Sequence, residues 1–226
     1  MSETKEQHKH FYLRNNDVLM NSTKLSMKAK QSILLSKAEN TVDAYESDWD
    51  DFVDWCTYQK VAYFPATPET IVNYINDLAD YAKANTISRR ISAISENYNA
   101  SGHRDNPCMA PIVKQALRGI RRLKGTFQQG KTPVLLEDIE DILDCMTKLD
   151  VHELQLLRDK AILLIGFMGA FRRSEIAAIT VEHLQFSPQG VEIFVPSSKA
   201  DQEGQGAVVA IPHIPGSPLD SVRALQ

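Results

Sequence analysis

The stretch Arg158-Asp-Lys-Ala-Ile-Leu-Leu-Ile-Gly-Phe-Met-Gly-Ala-Phe-Arg172-Arg173-Ser-Glu175-Ile-Ala-Ala-Ile-Thr180 divides the chain into two kinds of pattern. Its apolar run, Ala161 to Phe171, is too short to cross a bilayer and reads as a buried helix. Two arginines end that run, and a short helix is predicted around Ser174 to Ile179. Downstream, the helical period gives way to short apolar runs: Leu184–Phe186, Val191–Val195 and Ala207–Ile211. With Ser187-Pro-Gln-Gly190 as the first turn, they predict a small antiparallel sheet. Upstream lies a helix from Leu136 to about Lys148, then the apolar helix itself from Leu154 to Met168.

Further toward the amino terminus the chain is helical. A helix beginning near Thr41 puts Val42, Tyr45, Trp49, Phe52, Val53 and Cys56 on one face. Thr67-Pro68-Glu69 starts a second, with Thr67 as cap and Ile71, Tyr74, Ile75, Leu78 and Tyr81 inward. The third, roughly Thr86 to Asn99, has Ile87, Ile91, Ile94 and Tyr98 inward and Arg89 and Arg90 outward or flanking. The fourth, Pro111 to Lys124, sets Ile112, Val113, Ala116, Leu117, Ile120 and Leu123 against Lys114, Arg118, Arg121 and Arg122. The division expected is a flexible arm over 1–38, with a short helix near Ser32 to Lys37, a helical domain over 39–124, a linker over 125–133 and an α+β domain over 134–226. Gly125 to Thr132 fits the phosphate-loop formula GxxxxGK[ST]. A basic helix precedes it and Pro133 follows, so it lacks the strand-loop-helix setting that formula requires and reads as linker.

Charge is unevenly spread. The total is -4 at pH 7. Yet Thr41 to Asp80 holds nine acids against Lys60 alone, whereas Lys83 to Lys131 holds ten bases against Glu96 and Asp105. A +8 segment beside a -8 segment is the footprint of a polyanion-binding surface. Arg predominates among those bases, and its planar fork suits phosphate oxygens and guanine edges. Three widely spaced cysteines without a CxxC pair argue against a disulfide frame or zinc site, and the polar amino terminus lacks a secretory core. These features predict a soluble cytoplasmic protein, nucleoid-associated, with double-stranded DNA as partner, no membrane contact, and neither metal nor cofactor.

Ala170-Phe171-Arg172-Arg173-Ser174-Glu175-Ile176 resembles the G-x-R-x-S-E-[IL] signature of the tyrosine recombinase, or phage integrase, family. Tyr45 to Cys56, Phe64-Pro65-Ala66, Thr86 to Ile94 and Leu117 to Arg122 are similar to its core-binding domain. Ser198-Lys199-Ala-Asp201-Gln-Glu-Gly204 resembles its lysine-bearing hairpin. The resemblance implies a mainly α chain: a four-helix core-binding (SAM-like) domain, then a truncated α+β catalytic domain with a small antiparallel sheet. It implies Arg172 as a catalytic arginine, Glu175 as its supporting acid and Lys199 as general acid. Arg89, Arg90, Lys114, Arg118, Arg121, Arg122 and Arg173 are the candidate DNA contacts. The implied reaction is tyrosine attack on a phosphodiester, giving a 3'-phosphotyrosine, with four protomers acting together in the intact family. Burial of Arg172 against its own acids would count against this reading.

The chain departs from the family pattern. His213-Ile-Pro-Gly216 does not fit His-x-x-Arg, and all seven tyrosines lie between Tyr12 and Tyr98. Pro218 to Gln226 reads as a helix cut short. The expectation is therefore a chain truncated before its nucleophile and inactive alone. Two alternatives stay open: a non-catalytic DNA-binding regulator or decoy occupying recombination sites, and a helical module engaging acidic proteins.

Overall fold

The computed structural model describes residues 11–15, 17–127, 130–198, 201 and 205–226. The chain forms two compact units, Met1–Gln129 and Gly130–Gln226. The protein is mainly helical with one small antiparallel sheet.

In the first unit, three short helices, α1 (Tyr12–Asn15), α2 (Asp17–Met20) and α3 (Met27–Leu34), precede α4 (Glu39–Gln59), α5 (Pro68–Ala79), α6 (Ala84–Ser101) and α7 (Pro111–Lys124). Thr67 caps α5 as its sequence predicts, its hydroxyl accepting from the Thr70 amide at 3.3 Å, and Pro68 fills the first position where no amide is needed. The core is aromatic. Trp49 and Phe52 of α4, Tyr74 of α5 and Tyr98 of α6 are wholly buried, and Trp49 meets Tyr98 edge-on at 6.4 Å between centroids. The Tyr98 hydroxyl is satisfied by the Tyr63 carbonyl and the Ala66 amide beside the cis Phe64–Pro65 bond.

Three sequence expectations differ in detail. Tyr81 is exposed, because α5 ends at Ala79 and the residue falls on the following turn. Ile112 and Leu123, in the first and last turns of α7, are also exposed. The buried stripe is the narrower Val113, Ala116, Leu117 and Ile120. Residues 11–38, expected as a weakly patterned arm, carry α1 to α3 and pin themselves to the core with few anchors. Phe11 is buried, the Tyr12 amide donates to Asn97 Oδ1 at 2.7 Å, and Arg14 reaches Asp43 and Glu46 of α4. One buried aromatic leaves little periodicity to read.

The second unit contains α8 (Leu136–Met146), α9 (Glu153–Met168), α10 (Arg173–Ala178), β1 (Leu184–Ser187), β2 (Gly190–Val195), β3 (Ala207–Pro212) and α11 (Ser221–Leu225). The strands run in the order β1-β2-β3, antiparallel throughout, with Leu184 opposite Ile193 and Val191 opposite Ile211. The apolar helix α9 is buried on two sides. Leu164 joins Ile139, Leu143 and Leu219, while Ile165 joins Val191, Ile193, Ile211 and Val222 against the sheet. Gly190 is required where β2 begins, since a Cβ there would lie 2.2 Å from the Ile211 carbonyl oxygen. Asp220 caps α11, accepting from the amides of Val222 and Arg223, and also bonds His213.

Candidate nucleic-acid interface and catalytic arginine

The amphipathic pattern of α7 positions its cations. Val113 and Ile120 face the core, so Lys114, Arg118, Arg121 and Arg122 project from the opposite side and are exposed. Among the described residues none of the four has an acidic partner within 4 Å. Arg121 Nη2 donates to the Ser88 hydroxyl at 2.9 Å, which ties the cationic helix to α6. A helix that holds several guanidinium groups without internal counter-ions repels itself. It is stabilised by packing on one face and is free to neutralise an external anion on the other.

Arg89 and Arg90 of α6 behave differently from that group. Arg90, expected outward or flanking and as a DNA contact, is only 16% exposed: it bonds Asp51, and approaches the Tyr74 hydroxyl at 3.2 Å and Asp48 at 3.7 Å. Arg89 is 47% exposed and holds Asp48 Oδ1 at 3.2 Å through Nη2. Asp48 and Asp51 are participants that sequence reasoning counted only as acids. Their signal was present: position 48 falls inside the apolar stripe of Tyr45, Trp49 and Phe52, where a carboxylate is forced inward. Burial pushes the Asp48 carboxyl up, while the adjacent Arg89 and Arg90 guanidinium groups pull it down; the net direction is up.

In the second unit, α9 ends abruptly. Ala170 adopts a left-handed conformation (φ 50°), and the amides of Gly169 and Phe171 fold back on the carbonyls of Ile165 and Gly166. That reversal delivers Arg172 as the cap of α10. Glu175 grips it twice: one carboxylate oxygen accepts from the Arg172 amide and the other from its Nη1, each at 2.7 Å. These hydrogen bonds, the backbone one first, hold the Glu175 carboxyl below the usual carboxylate range. Glu175 is nearly buried, whereas the Arg172 side chain is 52% exposed. The guanidinium is thus braced by one acid rather than enclosed, with its remaining N–H groups unengaged among the described residues. Arg173 opens α10 and is exposed. Lys199 lies outside the described residues. Nearby, Asp201 orders the return to β3 by accepting from the amides of Gln205 and Gly206. Among the described residues there is no group of three or more His, Cys, Asp or Glu able to hold a metal ion.

The first unit thus presents an exposed cationic helix on a helical core, and the second an α+β fold with a braced arginine. Residues 31–101 match the phage integrase N-terminal SAM-like domain. Over 218 residues the chain is 52% identical to an integrase/recombinase XerD homologue of Selenomonas ruminantium, covering 96% of this chain and 63% of the relative. It is 26% identical over 184 residues to a protein named as a tyrosine recombinase from Caldanaerobacter subterraneus subsp. tengcongensis, covering 80% and 59%. Over nearly its whole length the chain is similar to members of the tyrosine recombinase, or phage integrase, family, and it spans less than two thirds of the length of these relatives.

Proposed function

We propose that this chain is the DNA-gripping part of a site-specific recombinase of the tyrosine class. The observation that carries the reading is the row Lys114, Arg118, Arg121 and Arg122, exposed on α7 and without acidic partners among the described residues. Duplex DNA supplies the missing anions, and Arg89 and Arg173 add contacts. In the second unit Arg172 is suited to the non-bridging oxygens of a phosphodiester under attack by a tyrosine hydroxyl. There the oxygen of tyrosine bonds to phosphorus, the 5'-oxygen departs, and a 3'-phosphotyrosine forms. A preorganised donor at that charge lowers the barrier by about 3 kcal/mol. Lys199 protonates the departing 5'-oxygen. The phosphotyrosine conserves the ester bond, so rejoining needs no external energy source. Self-association on DNA, with four protomers in the assembly, and residence at the nucleoid belong to the same proposal.

The test is retention of a labelled duplex by the 226-residue chain. Replacing Arg118, Arg121 and Arg122 by Ala should abolish retention while circular dichroism shows unchanged helicity; unaltered affinity would remove α7 from the interface.

A further inference from the structure

Asp48, Asp51, Tyr74, Arg89 and Arg90 form a charged cluster where α4, α5 and α6 meet. Asp48 is 3% exposed, and its Oδ1 serves both arginines, at 3.2 Å to Arg89 and 3.7 Å to Arg90. Among the described residues its Oδ2 has no hydrogen-bond partner, nor has Arg90 Nε. Arg90 is otherwise consumed by Asp51 and the Tyr74 hydroxyl, which itself donates to Asp51 at 2.7 Å. Arg89 is anchored by this contact to Asp48 and is half exposed. It directly follows Ser88, the residue that carries Arg121 of α7.

We propose that Asp48 is a positioning residue for DNA binding: with Arg90 as its buried counter-ion, it holds the Arg89 guanidinium at the surface of α6, and Arg90 itself does not touch DNA. The proposal rests on the DNA-binding reading above. Its physical content is a sign. On charge alone, deleting a carboxylate near a polyanion tightens binding. If Asp48 orients Arg89, deleting it releases a preorganised donor, whose freedom must then be lost on binding, and affinity falls.

The experiment measures fluorescence anisotropy of a labelled duplex with the full chain carrying Asp48→Asn, Arg89→Gln, both together, or Arg118→Ala as a control. Arg118→Ala and Arg89→Gln should each weaken binding and lower the salt slope by about 1. Asp48→Asn should raise Kd roughly 3- to 10-fold, the effect of freeing one ordered side chain. The double variant should be no weaker than Arg89→Gln alone, a non-additivity that mere loss of stability does not produce. Should Asp48→Asn fail to fold, guanidinium NMR of the unaltered protein decides: added DNA should shift the Arg89 side-chain signals and leave those of Arg90 in place. Unchanged or tighter binding by a folded Asp48→Asn, or an Arg90 shift on adding DNA, overturns the proposal. If the control weakens binding while Asp48→Asn tightens it, only the positioning role fails. If the unaltered protein binds without salt dependence, the DNA-binding reading fails with it.

Discussion

Helix α7 should separate stability from affinity by face. Ile120 is 4% exposed and packs with Val113, Ala116 and Leu117 against the helical core. Ile120→Ala removes a buried branched chain from a rigid site, so transfer and cavity effects together should cost about 3 kcal/mol. For a unit of this size that lowers Tm by roughly 10–15 °C. Arg118 and Arg122, on the face of α7 opposite the buried stripe, are exposed and unpaired among the described residues. Their replacement by Ala should change stability by less than about 0.5 kcal/mol. Urea melts followed by tryptophan fluorescence suit the test, because both tryptophans, Trp49 and Trp55, lie in α4 within this unit. The same samples are then assayed for duplex binding. Ile120→Ala should shift the melt and, below its transition, bind DNA normally; the arginine variants should do the reverse. If the arginine variants unfold easily, or if their DNA affinity is unchanged, α7 is not divided as argued.

Ala170→Gly should stabilise the second unit by about 1 kcal/mol, since a left-handed backbone disfavours any Cβ; a loss of stability in thermal melts would show that position 170 is not left-handed. Gly190→Ala should destabilise the sheet by about 1–3 kcal/mol, as the new Cβ meets the Ile211 carbonyl; an unshifted melt would contradict the β2–β3 register. Glu175 titrates below the ordinary glutamate range of about 4.3. Its stabilisation of α10 is therefore present above that range and lost as pH falls through the depressed folded value. The acid-induced loss of stability should be shallower in Glu175→Gln than in the unaltered protein, and equal slopes would remove Glu175 as the brace of Arg172.

Much of the helical architecture was legible because large apolar residues recur at helical spacing in 41–56, 67–78 and 111–124, and because Thr67-Pro68 is an explicit start signal. The sheet was legible from β-branched runs around a Pro-Gln-Gly turn. Position 170 explains why the family signature carries glycine two residues before its arginine: the chain reverses there, and this protein tolerates alanine instead. What was not legible was long-range. Arg89 and Arg90 stand side by side in the sequence, and only the approach of Asp48 and Asp51 from α4 separates an exposed cation from a buried one. The grip of residues 11–14 on α4 and α6 depends on Phe11, Asn97 and Arg14, single contacts that no local period announces.

The central claim is that α7 neutralises DNA phosphates. The dissociation constant of the 226-residue chain for a duplex, measured across a range of salt concentrations, tests it. With Lys114, Arg118, Arg121 and Arg122 each covering a phosphate, log K should fall against log salt with a slope of about -3.6 or steeper. Replacing the three arginines should make it shallower by about 2.7. A slope near zero in the unaltered protein, or one that the arginine changes leave untouched, would contradict the account.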